Sequence, residues 1–379
     1  MKKLRVGVIG TGGIGQIHLG YLPGIDRVEV TCACDSREAV VTAVARKTGI
    51  APFTDPDQLI RSGLCDAVLI ATPHYFHAPI AITAMEAGLH VLTEKPMAVR
   101  TSQADAMVRT AKRKKVKLAV MFQRRTTTLW KKAREIIASG AIGKLIRTCL
   151  MESSYRTQSY YDAGGWRGTW AGEGGGVLMN QAPHALDLFV WLGGRPSAVI
   201  GKAVTRGHRI EVEDVATALL TYPNGAVGTL YTSTYEFPQV DLFQFVGEGG
   251  ILEVRDGKMR LGVSAPPAGE MLRRSRDPWD IPTDVWTDVD VREEPGAHVN
   301  ITRNFVDAIL DGTPLVVTGK DALVSLELAN AITVSSALGK EVTLPLERKL
   351  FDDLLDEYVR TSKGKKGPGN ANRVVIPRR

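Results

Sequence analysis

The feature that most constrains this chain is a glycine-rich segment that directly follows the apolar run Leu4–Ile9. A G-x-G-x-x-G pattern between a strand and a helix is typical of a dinucleotide-binding βαβ unit. The first glycine permits a tight turn, the second lets the backbone approach the pyrophosphate, and the third lets helix and strand pack closely. Free N–H groups at the start of the helix then hold the phosphates. The pattern predicts a dinucleotide site at Gly10, Thr11, Gly12, Gly13, Ile14 and Gly15.

The identity of the dinucleotide depends on the residues at the end of the second predicted strand, Val28–Cys34. Asp35 stands there, and a carboxylate at this place accepts hydrogen bonds from the adenosine ribose and repels a 2′-phosphate, which favours NAD. Arg37 argues the other way, because a guanidinium accommodates a 2′-phosphate, so NADP is the alternative cofactor. We assign Asp35, Ser36 and Arg37 to the cofactor site. The plainer interpretation of Ser36 and Arg37 is the exposed start of a helix.

Short apolar strands alternate with helices from residue 4 to residue 122. The run Ala67–Ala71 is apolar throughout, as expected for a strand in a parallel sheet with both faces covered. Repeated strand–helix units imply right-handed crossovers and a doubly wound parallel sheet. The sequence therefore predicts an α/β fold that begins with an NAD(P)-binding Rossmann domain over residues 1–122.

The rhythm changes after residue 123, where strands are separated by hairpin-forming pairs such as Asn224-Gly225. This pattern predicts an α+β domain over residues 123–348 with an open, mostly antiparallel sheet, which we assign to substrate binding and oligomerisation. Within it, the segment 262–297 shows little periodicity and is expected to be a long loop or lid. Residues 349–379 are expected to form a C-terminal helix and a basic tail.

The net charge of +7 is concentrated at the C-terminal end of the chain. Residues 361–379 hold six lysines and arginines and no acid, so the remainder of the chain carries +1 (7 − 6). That remainder has no excess charge to neutralise phosphates, so we expect no nucleic-acid partner. No apolar run approaches the roughly 20 residues that span a bilayer, so we expect no membrane association.

The N-terminus and the cysteines indicate a reducing compartment. Met1-Lys2-Lys3 is basic, but Arg5 interrupts the apolar run that a signal peptide needs, so the cytoplasm is the expected location. The four cysteines are too scattered for a disulfide framework. They do not cluster with histidines, so we expect no metal site.

Two further motifs, Thr72-Pro73 and Glu94-Lys95-Pro96, end apolar strands. The carboxyl ends of parallel strands face the ligand crevice of an open sheet, so Lys95 is placed to contact a ribose or a reacting hydroxyl. Its plainer interpretation is an exposed loop lysine. Asn180 and His184 stand four residues apart at the start of a predicted helix and therefore share a face. A histidine in that place can accept a proton, although a lone histidine is more often structural.

These motifs, in this order, resemble the glucose–fructose oxidoreductase/inositol dehydrogenase/rhizopine catabolism (Gfo/Idh/MocA) family over residues 4–350. Beyond the glycine fingerprint, the resemblance rests on Ala71-Thr72-Pro73 with His77-Ala78, Glu94-Lys95-Pro96, Gly174-Gly175-Gly176 leading to His184-Ala185-Leu186-Asp187, and Val212-Glu213-Asp214. It implies a Rossmann domain, a second domain with a largely antiparallel sheet, and a homodimer or homotetramer formed through the outer face of that sheet.

The resemblance also implies that Lys95 and His184 are the catalytic pair. Family members often carry an aspartate four residues before this histidine, where this chain has Asn180. An amide can hydrogen-bond a sugar hydroxyl but cannot take a proton, which weakens the case for an Asp–His relay. We therefore assign catalysis to Lys95, His184 and Asn180.

The remaining site residues come from the family motifs and from an aromatic, arginine-rich segment before the glycine run. Aromatic rings stack on the C–H faces of sugars, while arginine, asparagine and histidine bond their hydroxyls. The alternative for this segment is a packing or interface element. The remaining cofactor-binding residues are Thr72, Pro73, His77, Glu94, Lys95 and Gln123. The substrate-binding residues are Arg125, Arg156, Tyr160, Trp166, Arg167, Asn180, His184 and His298.

The sequence as a whole predicts an NAD(P)-dependent dehydrogenase that acts on a secondary hydroxyl of a sugar, glycoside or cyclitol. His184 would remove the hydroxyl proton, and Lys95 would polarise the same oxygen. Two alternatives are left open: NAD-assisted glycoside cleavage through a transient keto-sugar, and a non-enzymatic dinucleotide-binding regulator.

Overall fold

The structure is a computed structural model that describes residues 3–292, 294 and 297–364. Most of the expected basic tail, from residue 365 onward, lies outside the described residues. The chain divides into two compact units. The first consists of residues 1–126 and 296–326, and the second of residues 127–295 and 327–379, as far as these are described.

Among the described residues, six strands form one parallel sheet in the first unit. They are β1 (Leu4–Ile9), β2 (Val28–Cys34), β3 (Ala51–Phe53), β4 (Ala67–Ile70), β5 (His90–Thr93) and β6 (Leu118–Val120). Their order, β3-β2-β1-β4-β5-β6, reverses direction between β1 and β4, and such a switch point opens a crevice for ligands at the carboxyl ends of the strands. The predicted doubly wound Rossmann sheet is confirmed.

Helices connect these strands as crossovers. They are α1 (Gly13–Tyr21), α2 (Glu38–Thr48), α3 (Pro56–Arg61), α4 (His77–Glu86) and α5 (Thr101–Lys114). The sequence did not predict β3 and α3, because elements of three and six residues are too short to show a periodic pattern.

The second unit contains, within the described residues, a sheet of nine strands. They are β7 (Leu145–Ser153), β8 (Ala198–Val204), β9 (Val215–Thr221), β10 (Val227–Ser233), β11 (Asp241–Gly247), β12 (Gly250–Arg255), β13 (Lys258–Ala265), β14 (Thr283–Val289) and β15 (Val342–Thr343). Their order is β14-β13-β12-β11-β7-β10-β9-β8-β15, and neighbours are antiparallel except for the parallel pair β7 and β10. The predicted mostly antiparallel sheet is confirmed.

One face of this sheet is buried, and the other face is exposed. Along β9, Ala216, Ala218 and Leu220 are buried, while the residues between them are exposed. The helices of this part of the chain are α6 (Thr128–Ala138), α7 (Gln158–Ala163), α8 (Pro183–Gly193) and α9 (Ala268–Arg274).

The expectation of a long loop or lid over residues 262–297 is wrong in part. The segment contains α9, and β14 pairs with β13 in antiparallel register from Met259↔Val289 to Ala265↔Thr283. β14 is an edge strand with the sequence TDVWTDV, and Val285 is 62% exposed, so no buried apolar pattern marks it in the sequence.

After β14 the chain returns to the first unit through α10 (His298–Leu310) and the start of α11 (Gly319–Leu338), and it ends in α12 (Arg348–Thr361). Arg27 donates to Asp307 and Asp311 at 2.8 Å each, and Ala119 forms an isolated bridge with Thr318. The sequence-based boundaries, which place residues 123–348 in one domain, do not anticipate this return.

Helix α11 is long and apolar enough to pass a length-and-composition test for a membrane span. In the structure, 67% of its most apolar window is buried within the protein, as expected of a core helix. All four cysteines of the chain are buried free thiols.

Candidate active site

In the loop between β1 and α1, a side chain would clash with the protein at some glycines and not at others. Gly10 has a φ of +92°, and a Cβ there would lie 2.6 Å from the backbone that follows β4. A Cβ on Gly15 would lie 2.0 Å from the carbonyl oxygen of Gly10. In contrast, a Cβ on Gly12 would meet only the Arg37 side chain at 3.9 Å, and one on Gly13 would meet nothing within 4 Å. The start of α1 is therefore an open cradle without a side-chain cap, and it fits the pyrophosphate of a dinucleotide.

Asp35 follows β2, and its buried carboxylate accepts four hydrogen bonds. Oδ2 accepts from the Thr11 N–H (3.0 Å) and hydroxyl (3.2 Å), and Oδ1 accepts from the Arg37 N–H (3.1 Å) and Nε (3.2 Å). Burial alone would raise the pKa of Asp35, but these hydrogen bonds and the charge of Arg37 hold it below its ordinary value. The Arg37 side chain is 65% exposed, so it can turn aside for a ribose hydroxyl. Ser36 is exposed beside them, and Ile14 is half-buried on α1.

Two buried polar atoms, one after β4 and one after β6, are candidates to bind a ligand. The Thr72 hydroxyl and the Gln123 side-chain carbonyl have no hydrogen-bond partner in the part of the chain that the structure describes. An unsatisfied buried group of this kind costs about 1–3 kcal/mol. Because the carboxyl ends of parallel strands face the ligand crevice, both atoms fit a cofactor that extends across these strand ends.

His77 joins two of the predicted cofactor loops. Its Nδ1 lies 2.7 Å from the Pro96 carbonyl oxygen, and its Nε2 lies 2.7 Å from the Thr72 carbonyl oxygen. Both ring nitrogens are thus engaged by backbone, and the ring is buried. These contacts hold the Thr72-Pro73 loop to the Lys95-Pro96 loop and do not present a ring nitrogen to a ligand.

A buried network surrounds Glu94, the residue before Lys95. Glu94 Oε1 lies 2.8 Å from Nε2 of His18 on α1, and Oε2 accepts the backbone N–H of Lys95 at 3.2 Å. His18 Nδ1 lies 2.6 Å from the Tyr21 hydroxyl. Burial alone would raise the pKa of Glu94, but the hydrogen bond from His18 and the nearby Lys95 hold it below its ordinary value. An ionised carboxylate therefore fixes the backbone that carries Lys95, whose side chain is half-buried.

His298 begins α10 and lies beside the same carboxylate. Its Nε2 is 3.9 Å from Glu94 Oε1, and its ring meets that of His18 edge-on with centroids 5.4 Å apart. One turn along α10, Thr302 Oγ1 lies 2.8 Å from the Tyr21 hydroxyl. Burial lowers the pKa of His298, although Glu94 opposes the shift. His298 was predicted as a substrate ligand, and the structure places it in the first unit against the Lys95 loop.

In the second unit, Asn180 lies in the turn before α8, and His184 is the second residue of that helix. The Asn180 side-chain amide donates to Glu173, whose carboxylate is fully buried. Glu173 Oε2 also accepts the Gly168 N–H at 2.6 Å. The Asn180 amide also makes a longer contact with the Tyr160 hydroxyl at 3.4 Å. The contacts with Glu173 and Tyr160 together fix the orientation of this amide.

The glycine run before α8 is clamped by Glu213. Gly174 and Gly175 have φ values of +83° and +157°, and a Cβ on Gly176 would lie 1.8 Å from the Glu213 carbonyl oxygen. Glu213 Oε1 accepts the N–H groups of Gly176 (2.9 Å) and Leu178 (3.1 Å). Burial raises the pKa of Glu213 to about 7, although these hydrogen bonds oppose the shift. Hydrogen bonds to the buried Glu213 side chain thus fix the backbone that leads to His184.

The predicted aromatic segment forms a cluster of its own in the second unit. The Arg167 guanidinium lies 4.6 Å from the Tyr160 ring centroid and 5.0 Å from that of Trp166, and the Arg156 guanidinium lies 5.3 Å from Tyr160. The Tyr160 hydroxyl also accepts from Gln181 at 3.3 Å. The structure therefore brings the predicted residues of this segment together beside Asn180.

Sequence reasoning missed several residues that hold this machinery in place. His18 and Tyr21 support Glu94, Glu173 supports Asn180, and Glu213 supports the glycine run. Arg125, predicted to bind substrate, is 3% exposed in a turn of the first unit. Within the described residues, no group of three or more His, Cys, Asp or Glu side chains is placed to hold a metal ion.

Comparison with known families gives two consecutive matches, which together cover more than half of the chain. Residues 4–122 match the model of an oxidoreductase family with an NAD-binding Rossmann fold, and residues 130–253 match the model of the GFO/IDH/MocA C-terminal domain. The chain belongs to the Gfo/Idh/MocA family. The sequence-based identification of the family is confirmed, as is that of an NAD-dependent dehydrogenase.

Relatives of this Gfo/Idh/MocA protein match between about half and nine-tenths of its length. The myo-inositol 2-dehydrogenase of Thermotoga maritima is 24% identical over 90% of this chain and 98% of the relative. The D-glucoside 3-dehydrogenase of Escherichia coli is 31% identical over 52% of this chain and 56% of the relative. The WlbA dehydrogenase of Bordetella pertussis, solved with NADH and UDP-GlcNAcA, is 30% identical over 91% of this chain and all of that chain, with a TM-score of 0.77.

Proposed function

We propose that this dehydrogenase oxidises a secondary hydroxyl of a sugar, glycoside or cyclitol to a ketone with NAD, or catalyses the reverse reaction. Relatives named for inositol and glucoside oxidation, and a related structure with NADH and UDP-GlcNAcA, support this substrate class. The observation that carries the proposal is the buried support under Lys95. Glu94 and His18 hold a lysine at the carboxyl end of β5, where an open α/β sheet places its ligands.

In this proposal Lys95 and His184 act on the same substrate hydroxyl. The ammonium group of Lys95 polarises the oxygen and lowers its pKa, and the His184 imidazole takes the proton. Asn180, oriented by Glu173, hydrogen-bonds a neighbouring hydroxyl and sets the angle at which the substrate lies. When bound, NAD accepts the hydride from the carbinol carbon.

The same proposal assigns the cofactor to the cradle at the start of α1. Gly12, Gly13 and Ile14 would hold the pyrophosphate, and Asp35, which accepts hydrogen bonds from Thr11, would accept hydrogen bonds from the adenosine ribose. The buried Thr72 hydroxyl and Gln123 side-chain carbonyl would hydrogen-bond the cofactor. Pro73 and His77 shape the loop that carries Thr72. NAD is the cofactor of the proposal, and NADP is a second cofactor that Arg37 would admit.

Steady-state kinetics on a panel of sugars, glycosides and cyclitols test the proposal. NADH formation should identify a substrate, and Lys95→Ala and His184→Ala should each lower kcat by about 100-fold or more, the range of acid–base assistance. Binding of NADH, followed by its fluorescence, should stay close to wild type in both variants. Lys115→Ala, an exposed lysine elsewhere in the first unit, serves as the control and should keep full activity.

Two outcomes contradict the proposal. Wild-type rates in both variants would remove Lys95 and His184 from the chemistry. Release of an aglycone from glycosides without net NADH would indicate cleavage through a transient ketone instead of net oxidation.

We also propose that the protein is a cytoplasmic homodimer or homotetramer without nucleic-acid or membrane partners. The open face of the nine-stranded sheet supports the assembly, because Met151, Leu219 and Val227 are 38%, 60% and 55% exposed on adjacent strands. Large apolar side chains exposed on one face of a sheet are typical of an interface. Light scattering of the wild type and of Leu219→Glu tests it, since the charged variant should dissociate.

A further inference from the structure

Two guanidinium groups in the second unit converge on one aromatic ring. The Arg167 guanidinium lies 4.6 Å from the Tyr160 ring centroid and that of Arg156 lies 5.3 Å from it. The hydroxyl of the same tyrosine contacts the Asn180 amide, and Asn180 stands one helical turn before His184. Two positive charges are therefore concentrated beside the side chains that the proposed function gives to the substrate.

Neither guanidinium has an acidic partner. No carboxylate of the described residues lies within 4.0 Å of a nitrogen of Arg156 or Arg167, although many surface arginines of this chain form such pairs. Within the described residues, the Arg156 guanidinium donates to the carbonyl oxygens of Ser154 and Tyr155. The Nε of Arg167 is buried and has no acceptor in the described part of the chain. A half-buried cation with an unsatisfied donor is costly unless a ligand supplies the acceptor.

Glu173, a buried acid that contacts the same segment, is engaged by other groups. Glu173 accepts the Gly168 N–H with one oxygen and the Asn180 amide with the other. It therefore orients Asn180 and does not pair with the two arginines.

The backbone around the pair is held in place before any ligand binds. The Arg156 N–H donates to the Thr234 carbonyl oxygen at 2.9 Å, and the Arg156 carbonyl oxygen lies 2.9 Å from His208 Nε2. His208 Nδ1 lies 2.9 Å from the fully buried carboxylate of Asp214. On the other side, a Cβ at Gly164 would lie 2.9 Å from Arg167 Nη1, so glycine leaves room for that guanidinium. Such preorganisation is what a ligand-binding arginine needs.

We propose that Arg156 and Arg167 form an oxyanion subsite, and that the substrate is a sugar or cyclitol that carries an anionic group. A planar guanidinium matches the two oxygens of a carboxylate or of a phosphate, and a hydroxyl needs no such cation. The inference rests on the proposed function, because it adds a charged substituent to the same substrate. Arg156 and Arg167 determine specificity, and Lys95 and His184 carry out the chemistry.

Matched pairs of neutral and anionic sugars test the inference. We would measure kcat/KM with NAD for D-glucose, D-glucuronate and D-glucose 6-phosphate, and for the corresponding galactose and N-acetylglucosamine series. The anionic member should exceed its neutral partner by between about 10-fold and about 100-fold, the range of a hydrogen bond to a charged group. The uronate and phosphate arms distinguish the two sources of the oxyanion.

The variants Arg156→Gln and Arg167→Gln remove the charge and keep a hydrogen-bonding side chain. Each should lower kcat/KM for the anionic substrate by about 10-fold or more relative to kcat/KM for its neutral partner. Arg209→Gln, an exposed arginine in the same unit without an ion pair in the described residues, is the matched control and should behave as wild type. Higher ionic strength should raise KM for the anionic substrate in the wild type and less in the variants.

Calorimetric titration of D-glucuronate into the NADH-loaded protein gives a readout besides turnover. Binding that weakens in both arginine variants supports the subsite. A neutral sugar that reacts as well as its anionic partner, or an anion preference that survives both substitutions, overturns the inference and leaves the proposed function intact. A panel in which no compound yields NADH contradicts the proposed function itself.

Discussion

His18 Nε2 lies 2.8 Å from Glu94 Oε1, although the two residues are 76 positions apart in the chain. His18 belongs to α1, the helix proposed to receive the cofactor phosphates, and Glu94 precedes Lys95. One buried hydrogen-bonded contact therefore joins α1 to the loop of the proposed catalytic lysine. We infer that His18 is a positioning residue that acts on Lys95 through Glu94.

Replacing His18 should distinguish an effect on the position of Lys95 from an effect on the stability of the fold. His18→Leu removes a hydrogen-bond partner of the buried Glu94 carboxylate, a change that typically costs about 1–3 kcal/mol. We expect kcat to fall by about 10-fold or more while KM for NAD changes little, because the phosphate cradle does not include the imidazole. Steady-state kinetics and denaturant unfolding measure the two effects.

The conservative variant His18→Gln keeps a donor near Glu94 and should recover part of kcat. Tyr21→Phe removes only the hydroxyl on the far side of His18 and should have the smallest effect. A His18→Leu enzyme that is less stable but has an unchanged kcat would show a purely structural role.

Asp35 and Arg37 should decide between NAD and NADP. Asp35→Ser removes the carboxylate that repels a 2′-phosphate and releases Arg37, whose N–H and Nε it now accepts. The ratio of kcat/KM for NADP to that for NAD should rise by about 10-fold or more, equal to about 1.4 kcal/mol.

The double variant Asp35→Ser/Arg37→Ala is the control, because it removes the group that would hold the phosphate. It should lose most of the gain in NADP use. An equal gain in both variants would mean that repulsion by Asp35 alone sets the preference.

Gly15 should be the least replaceable glycine of α1. The Cβ of Gly15→Ala would lie 2.0 Å from the Gly10 carbonyl oxygen, so the helix must move away from the loop. We expect weaker NADH binding by at least about 10-fold in a fluorescence titration, together with a lower melting temperature. On the same helix, a Cβ on Gly20 meets nothing within 4 Å, so Gly20→Ala should bind NADH normally and gain up to about 1 kcal/mol of stability.

The parts of the site that could be predicted from the sequence are those encoded by neighbouring residues. The glycine loop and Asp35 are separated by one helix and one strand, and the spacing of a βαβ unit brings them together. His18 was missed because its partner follows a strand on the other side of β1, so no local pattern connects them. Glu173 was also missed, because an acid between two glycines reads as a loop residue until the fold buries it. Glu213 stands in a family motif, but its supporting role was missed because the Gly176 N–H that it accepts lies 37 residues earlier in the chain. The return of α10 to the first unit rests on contacts such as Arg27–Asp307, which are 280 residues apart.

Glu213 gives the protein a stability that falls as the pH rises. Its ordinary pKa of 4.5 rises to about 7 in the folded protein, mainly through burial. The folded state therefore binds a proton more tightly than the unfolded state between these values, and the stabilisation is complete below about pH 4.5 and lost above about pH 7. A shift of this size corresponds to roughly 3 kcal/mol.

Glu213→Gln mimics the protonated acid and should reduce this dependence. The amide oxygen can still accept the N–H groups of Gly176 and Leu178, so the glycine run keeps its clamp. Denaturant unfolding at pH 5 and pH 8 measures the effect as the difference between variant and wild type, which cancels the other titrating groups. We expect the variant to match the wild type at pH 5 and to be more stable at pH 8, because the wild-type protein then carries a buried charge. A difference that is the same at both pH values would mean that Glu213 does not change its protonation in this range.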